Sequence, residues 1–344
     1  WLVMAILTQM QTGAMLGGIS EILHHMAPLV PITGWVWVVS AGTVGLLLFG
    51  RYTFVERFAL GLVVSFSALT VSCAVLLIKR PEYFSWPGLL EGLSFQPPSS
   101  GFVTAVATFG ITGVGATELV MYPYWCIEKG YARFAGRLED SSAWRTRALG
   151  WIRVMGFDVV NSMLIYTFAT VAFYLLGAGI LHGMGIVPRG AEMVHMLSAM
   201  YTETLGPWSL VPFLMGAFAV LYSTIFAGVA ATCRLSADFI GLLGLYDRSD
   251  YATRLKVTRV FVVILLVVPS LYYMLVREPV LMVKIGGVAQ AVMLPIIGFC
   301  AIYLRYIHLP RVIAPRGWIT LGLWVCTLLM TVMMGYWVLQ KLTL

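Results

Sequence analysis

Glu118 stands in an otherwise apolar run, Thr108-Phe-Gly-Ile-Thr-Gly-Val-Gly-Ala-Thr-Glu-Leu-Val-Met-Tyr-Pro-Tyr-Trp-Cys-Ile-Glu-Lys-Gly130. A carboxylate there is a cation ligand held where charge is expensive. At the middle of a bilayer an acid costs about 2.5–3.5 kcal/mol on insertion scales, so it marks a functional site. Thr117 adds a hydroxyl oxygen beside it, and Met121, three residues on, adds a thioether on the same helical face. Hard cations take oxygen ligands, whereas a thioether suits softer transition metals. Gly110, Gly113 and Gly115 precede the acid and Pro123 follows it. Glycine costs a helix about 1 kcal/mol relative to alanine, and proline removes a backbone hydrogen bond. Their coincidence predicts a helix broken near Gly113–Tyr122, permitted by Gly113, Gly115 and Pro123. Such a break releases backbone carbonyls, here around Gly115–Ala116, to a bound ion. The plainer alternative is a structural acid, protonated or hydrogen-bonded to a neighbouring helix, with glycines that only let helices pack closely.

Other polar residues are weighed the same way. Gln290 lies in Gly286-Gly-Val-Ala-Gln-Ala-Val-Met-Leu-Pro295, again with paired glycines and a proline. It is either a second wall of the site or an interhelical hydrogen bond. The hydroxyls of Tyr222-Ser-Thr-Ile225 are expected to bond back onto their own helix. Thr8, Gln9, Gln11 and Thr12 form a polar patch without an acid. Glu21 reads as interfacial, Asp158 (with Asn161 nearby) as a cap or an arginine partner, and Arg234 with Asp238 as an i,i+4 ion pair. The five histidines make no zinc spacing, and the five cysteines (Cys73, Cys126, Cys233, Cys300 and Cys326) make no CxxC. No phosphate loop or nucleophile elbow accompanies the glycines. No cofactor is expected.

The elements that must position these residues follow from composition. Of 344 residues, 60% are hydrophobic and 11% charged, with a mean hydropathy of +0.89. A soluble domain carries about 25% charged residues, so this is an all-α integral membrane protein. A spanning helix needs about 20 mostly apolar residues. Nine stretches qualify: Trp1–Leu23, Gly34–Gly50, Phe58–Ile78, Phe102–Ile127, Val154–Leu181, Ser209–Leu242, Val257–Val276, Pro279–Ile307 and Ile319–Leu339. Between them, Arg80–Ser100, with Pro81, Pro87, Pro97 and Pro98, reads as a non-helical crossover. His182–Pro207, with Glu192, His195 and Glu203 at helical spacing, reads as a short interfacial helix. The whole of 1–344 reads as one transmembrane domain.

Net charge is +7, from 22 Lys and Arg against 15 Asp and Glu. Most of the basic residues fall on alternate loops, including Arg51, Arg248 and the stretch Lys129–Arg153. The other side holds only Lys79, Arg80, Arg189, Arg277, Lys284 and Lys341. By the positive-inside rule residue 1 is cytoplasmic and the C-terminus lies outside. The excess is thereby explained without a nucleic-acid partner; the basic loop meets anionic lipid headgroups instead.

The segment Phe109–Gly136 resembles the sixth helix and following loop of the Nramp family of divalent metal transporters, in a divergent, bacterial-type branch. Ser223-Thr-Ile225 and Leu294-Pro295 resemble family motifs further along, and the nine stretches match its third to eleventh helices in order. The resemblance implies a five-plus-five inverted-repeat transporter fold like that of amino-acid and cation symporters, placed in a bacterial inner (plasma) membrane. It also implies that the chain, which opens at Trp1 inside an apolar run, is an N-terminal truncation lacking the first two helices and half of the site. Two departures stand out. The family's Met-Pro-His signature is absent, and Glu118 or Leu119 falls where its metal-binding methionine lies. The third-helix acids are replaced by Gln11 and Ala14. A carboxylate in place of a thioether moves the expected cargo toward a harder divalent cation, Mg²⁺ or Mn²⁺. The expected function is secondary active transport of that cation by alternating access. Glu118 and Thr117 are the expected metal ligands, and Gly115, Ala116, Met121 and Gln290 complete the binding set. The alternatives are an amino-acid or organic-cation transporter of the same fold, a non-transporting sensor or scaffold, and a membrane enzyme.

Overall fold

The computed structural model describes residues 1–49, 52–92, 94, 101–188, 190–247 and 249–342. Gly50, Arg51, Pro97, Pro98, Ser100, Arg189 and Arg248 lie outside the described residues. All regular structure among the described residues is helical: α1 (Leu2–Met26), α2 (Ile32–Phe49), α3 (Tyr52–Leu77), α4 (Trp86–Gly92), α5 (Phe102–Ile111), α6 (Ala116–Glu128), α7 (Ser142–Leu176), α8 (Met193–Leu205), α9 (Leu210–Leu242), α10 (Tyr251–Val276), α11 (Pro279–Ile307) and α12 (Gly317–Leu342). Nine spans among them are long and apolar enough to cross a membrane, with α5 and α6 together making the fourth.

The expected spans and the helices agree closely, and the differences have local causes. The fifth was expected from Val154, but α7 starts at Ser142. Arg145, Arg147 and Arg153 break the apolar pattern, yet arginine is a good helix former whose long side chain reaches water. Ser141 Oγ accepts the Trp144 N–H at 3.1 Å and caps the start. The crossover after Arg80 is not wholly non-helical either. Ser85 Oγ accepts the Gly88 N–H at 3.2 Å, and Pro87 sits in the first turn, where its missing N–H costs nothing. The short helix expected within His182–Pro207 is α8.

The chain divides into two compact units. The first comprises Trp1–Ala5, Val103–Tyr166 and Gly286–Leu344. In it Met4, Ala116 and Leu294 are buried together, with Phe109 and Ile297 packed against them. A β-carbon at Gly298 would lie 2.6 Å from Thr327 Oγ1, so the Thr327 side chain of α12 packs directly on the α11 backbone.

The second unit comprises Ile6–Phe102 and Thr167–Ile285. One core gathers Phe66, Tyr201 and Phe213, with ring centroids 5.7 Å (Phe66–Tyr201) and 4.8 Å (Tyr201–Phe213) apart. The Tyr201 hydroxyl shares a 2.7 Å hydrogen bond with Thr70 Oγ1. Another core packs Leu16, Ile19, Val36, Leu266 and Met282. Between apolar helices in lipid this contact is worth dispersion, not hydrophobic burial, and polar bonds add register. Ser40 and Ser270 supply one such bond at 2.8 Å.

Two polar contacts join helices of this unit. Asp238 accepts two bonds from Arg254 of α10, at 2.7 and 3.1 Å. A planar guanidinium matches a carboxylate bidentately, a geometry that joins α9 to α10. Glu21 is 9% exposed, and its Oε1 accepts the N–H groups of Val194 (2.7 Å) and His195 (3.2 Å). Those are donors in the first turn of α8, whose own cap residue, Glu192, supplies no side-chain acceptor.

Candidate functional site: the interrupted helix

The fourth span is interrupted, over a shorter stretch than Gly113–Tyr122. Residues 112–115 are non-helical, whereas Ala116–Glu128 form α6. Gly113 explains the position of the break, because its φ of +83° lies in the left-handed region that only glycine enters freely. Pro123 does not contribute to it. It lies inside α6, which continues on both sides; transmembrane helices tolerate proline where neighbours re-satisfy the freed backbone. The expected release of carbonyls at Gly115–Ala116 is corrected as well. Gly115 O accepts the Leu119 N–H at 3.2 Å, and Ala116 is already helical and fully buried. The helix ends that the break opens are the carboxyl end of α5 and the amino end of α6.

Neighbouring helices hold that opening in place. A β-carbon at Gly110 of α5 would overlap the Gly287 carbonyl oxygen of α11, and one at Gly287 would lie 2.6 Å from the Ala107 carbonyl oxygen. The two backbones therefore touch directly. One turn on from Gly287, Gln290 is 3% exposed, and its Oε1 accepts the Thr117 N–H at 3.1 Å. Gly115, the residue before α6, is extended and offers no side-chain cap. Gln290 takes over that role from another helix, satisfying a donor that the helix itself leaves open.

Glu118 lies in the first turn of α6, where the helix dipole favours a negative group. Its carboxyl lies against the backbone N–H groups of Gly115 and of Glu118 itself. A β-carbon at Gly115 would collide with both Glu118 Oε2 and Gln290 Oε1, so these two oxygens converge on one small residue. Thr117 Oγ1 and Glu118 Oε2 are shut from solvent and have no hydrogen-bond partner among the described residues. Met121 is buried on the same face, three residues along. The structure thus brings Gly115, Thr117, Glu118 and Gln290 together, keeps Met121 beside them, and leaves Pro123 exposed further along α6. Of the alternatives for Gln290, the interhelical hydrogen bond is present, and it lies at the break. Among the described residues no three His, Cys, Asp or Glu side chains form a metal-binding group. An ion here would be held by one acid and neutral oxygens.

Sequence reasoning passed over a neighbouring contact. Among the described residues Asp158 of α7 takes no arginine; the Tyr122 hydroxyl donates to its Oδ2 at 3.2 Å. Glu118 and Tyr122 are spaced i,i+4, a pattern visible in the sequence, but the link from Tyr122 to Asp158 requires the fold. As expected, the hydroxyls of Ser223 and Thr224 bond back to Val220 O, at 3.1 and 2.7 Å.

Nine apolar spans, one of them interrupted beside a buried acid, define an integral membrane protein with the build of a transporter. The family model for Nramp, natural resistance-associated macrophage protein-like, matches residues 1–340, and the chain belongs to that family. No curated protein matches the chain. Members of the family carry metal ions across membranes and are not enzymes, so the membrane-enzyme alternative is set aside.

Proposed function

We propose that this protein moves a hard divalent cation, Mg²⁺ or Mn²⁺, across a bacterial inner membrane by alternating access, as a secondary transporter. Glu118 and Thr117 are its metal ligands, Gln290 borders the ion, and 1–344 work as one transmembrane domain. The observation that carries this reading is the pair of buried oxygens without partners, Thr117 Oγ1 and Glu118 Oε2, at the start of α6. A buried polar atom left unbonded costs about 1–3 kcal/mol, and a cation would recover that cost. Oxygen donors favour hard cations over soft ones. Met121, the only thioether in the proposed set, is a subordinate contact.

The test is flux into proteoliposomes, followed separately for Mg²⁺, Mn²⁺ and the softer Cd²⁺. Wild type is expected to carry the first two in preference. Glu118→Gln keeps the shape and removes the charge, and it should lower apparent affinity by at least about tenfold, the equivalent of ~1.4 kcal/mol. Unchanged Mn²⁺ flux and affinity in Glu118→Gln would remove the ion-ligand role.

A further inference from the structure

Beyond the break, the seam between α6 and α7 carries a second set of oxygens. Glu118 and Tyr122 are i,i+4 on α6 and therefore share a face, one turn apart. The Tyr122 hydroxyl donates to Asp158 Oδ2 of α7 at 3.2 Å. On α7, Asp158, Asn161 and Tyr166 are half-buried, while Val159, Val160, Leu164 and Ile165 between them are exposed. These three polar residues are thus covered where their apolar neighbours are not. At one end of the three, Tyr166 meets the break: a β-carbon at Gly113 would lie 3.2 Å from its ring. At the other end, Tyr131 and Trp151 close the seam with ring centroids 5.4 Å apart.

We propose that Tyr122 and Asp158 form a second cation station, which receives the ion one helical turn along α6 from Glu118. The proposal rests on the Glu118 reading and extends it. An acid in a membrane-spanning helix is costly, and one neutral phenol offsets little of its charge. Asp158 has no Lys or Arg partner among the described residues. A phenol that donates a hydrogen bond to Asp158 keeps its oxygen lone pairs, so the pair presents phenol and carboxylate oxygens together. Movement of an ion requires sites strong enough to enter and weak enough to leave, and successive oxygen sets a turn apart meet that need. The alternative is a hydrogen bond that only fastens α6 to α7.

Three measurements on Asp158→Asn, Tyr122→Phe and Asp158→Glu separate these roles: equilibrium Mn²⁺ binding, Mn²⁺ flux into vesicles, and thermal stability. If the station exists, the first two variants bind Mn²⁺ within about twofold of wild type yet lose about tenfold in maximal flux, and Asp158→Glu restores most of it. Full flux in Asp158→Asn overturns the station. So does a parallel loss of binding, flux and stability in both variants, which is what a mere fastener would give. Glu118→Gln, measured alongside, should lose binding itself; if it binds and transports like wild type, the Glu118 reading fails instead.

Discussion

At the scale of single residues, Gly115 is the most constrained position of the proposed site. Two side-chain oxygens, one from its own helix and one from α11, occupy the space a β-carbon would need. Gly115→Ala must push Glu118 and Gln290 apart. Overpacking of this kind costs about 1–3 kcal/mol of stability. Because the displaced oxygens face the proposed ion, Mn²⁺ affinity should fall by about tenfold as well. Calorimetric Mn²⁺ binding together with thermal unfolding checks both parts. Wild-type affinity in Gly115→Ala would mean that the oxygens are not held at this point for an ion. Glu118 was legible in the sequence because one acid stands among apolar neighbours. Its meeting with Gln290 was not, because Gln290 and the Thr117 it bonds are 173 residues apart and nothing local specifies which faces meet. Asp158 was misread for the same reason: arginines are its neighbours in sequence, whereas Tyr122 is its neighbour in space.

At the scale of elements, α8 is held by a cap borrowed from α1. A buried donor left without its acceptor costs about 1–3 kcal/mol. Glu21→Ala removes the acceptor of two first-turn N–H groups and should free the start of α8 by about 2 kcal/mol, which is roughly a 30-fold rise in amide exchange at Val194 and His195. Glu21→Gln keeps a carbonyl acceptor and should lose less. Equal protection of these amides in wild type and Glu21→Ala would show that packing alone holds α8. Most helices were legible from apolar runs of bilayer length. The failures lie at their ends: α7 extends through three arginines, and α4 starts at a serine cap among prolines. Hydropathy averages over such ends, whereas capping is decided by single hydrogen bonds. The break itself was legible from its glycines, but Pro123 made it look too long.

At the scale of the whole molecule, the family match covers residues 1–340, and the nine spans give metal-ion transport a membrane setting. The proposed orientation comes from charge: basic loops such as Lys129–Arg153 belong on the cytoplasmic side. With the native cysteines replaced, a cysteine at Ser85 should react with an impermeant maleimide in intact cells, and one at Ser141 only after permeabilisation. The reverse pattern would invert the topology. One feature of the first unit also bears on how this molecule can move. Where Gly110 meets Gly287, backbone rests on backbone, with no side chains between that could change rotamer and let the helices slide. Such a contact behaves like a weld. It ties α5 to α11 as one stiff piece, and the Gln290 cap on Thr117 fastens the start of α6 to that same piece across the break at residues 112–115.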